Sequence, residues 1–152
     1  MTAGRGVLVC AIGNGLRRDD GVAHAVADGV EAALPESADC TIIRLIQLLP
    51  ELAEPVSRAA LLIVVDAALD LPPGEVAVRP IGRESAETPT LTHHVSPAML
   101  PAYSQTLYGH APPGWLVTVG GADFGFGEGL SPPAQAAVGA AVAQVLALIG
   151  TV

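Results

Sequence analysis

Two aspartates and a histidine pair are the residues of this chain whose types could do chemistry together: Asp20, Asp66 and His93-His94. Two carboxylates and one imidazole form a borderline-hard ligand set, suited to zinc or nickel and less to a thiolate-loving metal. Three protein ligands with vacant positions describe an open, reactive centre, because closed structural sites normally supply four. Such a centre could polarise a carbonyl or acidify a bound water. Spacing alone carries little specificity here, since the ligands lie on separate segments that loops must bring together. Each residue also has a plainer reading. Asp20 could cap the first helix and Asp66 could cap a turn after its strand. Adjacent histidines in an extended segment point to opposite sides, so only one of the pair can face a shared site. His24 and His110 have no convergent partners and read as structural or surface residues.

Asp20 arrives on the loop Gly13-Asn14-Gly15-Leu16-Arg17-Arg18-Asp19-Asp20-Gly21, which follows the apolar run Val7–Ile12. That run is continuous, rich in valine and closed by glycine, as a buried strand should be. The loop has the outline of a nucleotide loop without its chemistry. Arg18 stands where a dinucleotide fingerprint needs its third glycine, and the chain contains no lysine for a P-loop. Asp19 and Asp20 are expected to reach the mouth of the following helix together, where carboxylates would repel phosphate and suit a cation. Other catalytic designs fit less well. A Gly-x-Ser-x-Gly elbow is missing, neither cysteine has an electropositive setting, and neighbouring Asp19 and Asp20 cannot form a facing acid/base pair.

The elements around these residues alternate. Val22, Val26, Val30, Ala33 and Leu34 make the apolar stripe of a helix running from Gly21 to Leu34 and ended by Pro35. Thr41 to Ile46 reads as a second strand, and Pro50 to Ala60 as a short helix with Glu51 and Glu54 in its first turn. Leu61 to Val65 is a buried strand that ends on Asp66, and Glu75 to Ile81 a more exposed one. Ser96-Pro97 and Ser131-Pro132 each place a capping hydroxyl before a proline suited to the first helical position. Trp115 to Val119 reads as another core strand, and Val138, Val142, Val145 and Ile149 stripe the last helix. Alternation with connections too long for hairpins predicts an α/β sandwich on a mostly parallel sheet. Right-handed crossovers then gather the loops after Val7–Ile12 and Leu61–Val65 at one carboxyl edge, where such sheets bind ligands.

Composition narrows the classes. With 152 residues, 51% of them hydrophobic and 14% charged, the chain should form one packed domain, residues 1–152, and not a disordered one. The longest apolar stretch is interrupted by Gln135, Gly139 and Gln144, so no membrane span is expected, and the short first apolar run does not suit a secretory signal. A cytoplasmic protein is expected. The net charge of −8 argues against nucleic acid as a partner. Cys10 and Cys40 sit in apolar strands and read as reduced core residues.

The sequence resembles the maturation endopeptidases of nickel–iron hydrogenases over nearly its whole length. The resemblance rests on Ile12-Gly13-Asn14-Gly15-Leu16-Arg17-Arg18-Asp19-Asp20-Gly21-Val22, then Val64-Val65-Asp66-Ala67-Ala68, Leu91-Thr92-His93-His94 and Gly129-Leu130-Ser131-Pro132, in that order. It implies a twisted five-stranded sheet flanked by helices, in a three-layer α/β sandwich. It also implies a metal site of Asp20, Asp66 and His93, with the ligand histidine directly after Thr92. The activity implied is an aspartic-type, nickel-dependent endopeptidase that removes the C-terminal peptide of the hydrogenase large subunit after nickel insertion. Nickel would come with that precursor, no organic cofactor would be needed, and the protease would be a monomer. Two positions depart from the family pattern. Ala23 replaces a usual glycine, and Gln47-Leu48-Leu49-Pro50-Glu51-Leu52 replaces a Gly-Thr-rich stretch, similar to a subgroup serving soluble, cofactor-coupled hydrogenases. The same ligands would also serve a non-catalytic nickel-binding assembly chaperone. An aminoacyl-tRNA ester hydrolase is disfavoured by charge, and a dinucleotide-binding domain by the missing glycine.

Overall fold

A computed structural model describes residues 6–81 and 96–152. Five strands form one sheet: β1 (Val7–Ile12), β2 (Cys40–Leu45), β3 (Leu61–Ala68), β4 (Val76–Ile81) and β5 (Gly114–Gly120). Their order across the sheet is β2-β1-β3-β5-β4; every neighbouring pair is parallel except β4 against β5. The helices are α1 (Val22–Ala33), α2 (Ala53–Ser57), α3 (Met99–Tyr108) and α4 (Pro132–Ile149). The α/β architecture, with a mostly parallel five-stranded sheet, is the one expected from the sequence.

Period-two alternation divides the strand side chains between two cores. Val7, Val9, Ala11, Ile63, Val65, Val117 and Val119 pack with α1 and α4. Leu8, Cys10, Ile12, Leu62 and Val64 pack with Leu52, Val56 and Leu100 on the opposite side. Both faces are covered, which is why β1 and the first five residues of β3 are wholly buried, uninterrupted apolar runs. Where α1 meets α4 the fit depends on Gly29, since a Cβ there would stand 2.6 Å from Val142 Cγ2.

Several boundaries differ from the sequence reading. β3 does not stop at Asp66 but runs on to Ala68, because β5 continues to pair with it through Asp66↔Thr118 and Ala68↔Gly120. The stretch after Pro50 forms a 3-10 turn, Pro50–Leu52, and only five residues of α-helix. Ser131 caps α4 as expected, its hydroxyl accepting from the Ala134 N–H. Ser96 does not cap α3; that helix starts later, with Ala98 at its N-cap and no side-chain capping bond. The buried stripe of α4 is Ala134, Ala137, Ala141 and Val145, with Val138, Val142 and Ile149 only partly covered. By length and composition α4 could cross a membrane (18 residues, mean hydropathy 1.5); in this molecule it forms part of an outer layer on the sheet. Both cysteines are free, Cys10 buried and Cys40 half-buried. Burial pushes the Cys10 thiol up to about 12, as an inert core residue requires.

Candidate active site

β1 sends its crossover to one side and β2 its own to the other, so strand order reverses between β1 and β3. A crevice opens there at the carboxyl ends of the strands, as this topology dictates. It is a cavity of about 280 Å³ lined by Ile12 and Gly13 after β1, by Asp20, by Ile46, Gln47 and Leu48 after β2, and by Asp66 and Pro97. Two of the expected site residues, Asp20 and Asp66, therefore share one cavity wall. The third, His93, lies with His94 outside the described residues. Among the described residues, no group of three His, Cys, Asp or Glu side chains is placed to hold a metal ion.

The Gly13–Gly21 loop reaches the crevice through close backbone packing. Gly13 must be glycine, because a Cβ there would overlap the Asp20 carbonyl oxygen. Asp20 does not cap α1, whose N-cap is Gly21. Its Oδ2 instead accepts the Asn14 N–H at 2.8 Å, which fixes the carboxylate across its own loop. His24, one turn into α1, holds the same loop: Nε2 stands 2.6 Å from the Gly13 carbonyl oxygen and must carry the proton there. Its role is structural.

Asp19 overturns the expectation that both loop carboxylates reach the site. It is fully buried, and its oxygens accept from the Ala122 N–H (2.7 Å), the Asp123 N–H (3.1 Å), the Ser131 N–H (2.7 Å) and the Ser131 hydroxyl (2.6 Å). Burial works against its charge, but these four donors outweigh it and hold the carboxyl below the usual carboxylate range. The two aspartates part because residues 18–21 form a 3-10 turn, in which consecutive side chains diverge by about 120°. One carboxylate ties the structure; its neighbour faces the cavity.

Asp66 has the opposite electrostatics. Burial pushes its carboxyl up to about 7, and the nearby Asp20 charge adds to the rise. The Ala67 N–H, donating to Oδ1 at 2.8 Å, offsets only part of this. A carboxyl held half-protonated near neutrality beside a second carboxylate is poised to give up its proton to an arriving cation, or to exchange it with a reacting group.

The fold is shared with solved structures of hydrogenase maturation endopeptidases. Among solved structures similar to this chain is the hydrogenase maturating endopeptidase HybD from E. coli, with a TM-score of 0.78 and 23% identity over 96% of this chain and 93% of that one. The hydrogenase 2 maturation peptidase from Thaumarchaeota archaeon SCGC_AB-539-E09 aligns with a TM-score of 0.68 and 23% identity, covering 96% of this chain and 99% of its own. The NiFe hydrogenase maturation protease HybD from Thermococcus kodakarensis does so at 0.66 and 22%, covering 95% and 99%. The sequence matches no family model and no curated protein.

Proposed function

We propose that this chain is a metal-dependent endopeptidase that removes the C-terminal peptide of a nickel-loaded hydrogenase large-subunit precursor. The observation that carries the reading is the pairing of Asp20 and Asp66 in one cavity at the switch point between β1 and β3. The fold shared with maturation endopeptidases supports it, as does the position of Pro97, which lines the cavity four positions after His93 in sequence.

In this reading Asp20, Asp66 and His93 complete the coordination of nickel that the precursor brings on its own ligands. Binding drives the remaining proton from Asp66, because a ligating carboxylate must be ionised. Nickel held there by Asp20, Asp66 and His93 would supply Lewis acidity to the scissile carbonyl or to a bound water. Water oxygen bonds to the carbonyl carbon, the C–N bond breaks, and the water's proton passes to the leaving amine. An empty precursor brings no Lewis acid, so cleavage is tied to completed nickel insertion. The protease itself needs no stored metal and no organic cofactor, works as a monomer, and acts in the cytoplasm.

The test is incubation of purified protein with nickel-loaded and with metal-free large-subunit precursor, followed by mass spectrometry of the products. A shortened large subunit from the loaded form alone is expected. Tight binding of the loaded precursor with no loss of mass would replace the peptidase by a nickel-binding assembly chaperone.

A further inference from the structure

We propose that the loops around the crevice form an apolar docking rim for the large-subunit precursor, anchored by Phe126; this rests on the endopeptidase reading. Four large apolar side chains on these loops are more than half exposed: Leu16 (61%), Ile46 (70%), Leu69 (81%) and Phe126 (83%). Each follows a different one of the four parallel strands, β1, β2, β3 and β5, so the topology sets all four on the carboxyl edge. Of the four, Ile46 also lines the cavity.

Phe126 is held out, not left loose. The Arg17 guanidinium lies 5.0 Å from its ring centroid and donates to the Phe124 carbonyl oxygen at 3.2 and 3.3 Å. The Gly127 N–H donates to Leu16 O and the Arg18 N–H to Gly127 O, while Asp19 ties the start of the same loop from beneath. A braced aromatic beside an arginine is the composition of an interface anchor, and its rigidity reduces the ordering needed on binding.

Charge selects the occupant. The crevice on this edge holds two carboxylates on a chain of net charge −8, so the complementary surface is apolar with a cationic centre. A precursor that carries a bound nickel ion, as the endopeptidase reading requires, has that character. A second copy of this chain would set acidic crevice against acidic crevice.

Steady-state cleavage of nickel-loaded precursor tests the rim. Phe126→Ala should raise KM by about tenfold with kcat nearly unchanged, and Leu16→Ala with Leu69→Ala should add to the effect. Leu107→Ala, near the far end of α3, should match wild type. All four side chains are exposed, so folding should be unaffected, as circular dichroism would show. Wild-type KM in the Phe126→Ala and Leu16→Ala/Leu69→Ala variants, with cleavage intact, would overturn the rim and leave the peptidase standing. If wild type cleaves nothing, binding of loaded precursor to immobilised protein decides: loss of capture by Phe126→Ala supports the rim and discards the peptidase, whereas equal or absent capture overturns the rim too.

Discussion

Asp66 is where site chemistry acts against stability, and its sign can be worked out. Its carboxyl rises from 3.8 to about 7 on folding, chiefly through burial. Between those values the unfolded chain has already lost the proton that the folded chain keeps. Stability therefore falls as pH rises through this window and levels off above about 7, by a limit of about 4 kcal/mol. Asp66→Asn keeps the neutral form throughout, so its melting temperature should decline less than wild type's between pH 5 and pH 8, while cleavage is lost. A parallel decline would mean that Asp66 is not held protonated. At the histidine pair, His93→Ala should abolish cleavage and His94→Ala retain most of it, with both variants folded by circular dichroism; the reverse ranking would move the ligand by one position. Sequence marked Asp20 and Asp66 because each follows a long apolar strand core, and that pattern locates one edge of a parallel sheet. It could not separate Asp19 from Asp20. Two identical neighbouring residues carry no pattern, and only the 3-10 turn and the distant donors at 122, 123 and 131 tell them apart.

Among the elements, the Asp19 tie joins three that sequence reads separately: the loop after β1, the loop after β5 and the first turn of α4. Asp19→Ala strands three N–H groups and a hydroxyl at once, so a loss of about 3 kcal/mol is expected from the shift of the urea midpoint. A shift near zero would mean that water replaces the carboxylate freely. The α1–α4 contact gives a second handle. Gly29→Val must push against Val142 and should destabilise by about 1–3 kcal/mol, with the sheet side of the fold unaffected. The strands were legible because two-sided burial writes a continuous apolar run, as in Val7–Ile12. Helix starts were less so. Ser-Pro occurs before both α3 and α4, yet only Ser131 caps, because Asp19 fixes its backbone and hydroxyl, whereas α3 begins after an extra turn at Ser96–Met99. Partners that distant are not written in a local motif.

At the scale of the whole molecule the question is where the metal specificity resides. The described part of the protein brings two carboxylates to the crevice and no complete ligand cluster, and its charge of −8 draws cations without selecting among them. Carboxylate and imidazole ligands left incomplete do not set a strong preference by themselves, since affinity for divalent first-row metals follows the general order of the ions. A peptidase that reads nickel on its substrate should therefore bind free nickel, zinc or cadmium only weakly. It should bind the nickel-loaded precursor far more tightly than the empty one. Calorimetry with each metal alone, then with loaded and empty precursor, measures both quantities. Asp20→Ala should remove the difference between the two precursors while leaving whatever affinity the apolar rim supplies. Nanomolar binding of free nickel by the protein alone would mean that the site is complete without a substrate. The chain would then act as a carrier that stores the ion, because a checkpoint that holds its own metal could no longer distinguish a filled precursor from an empty one.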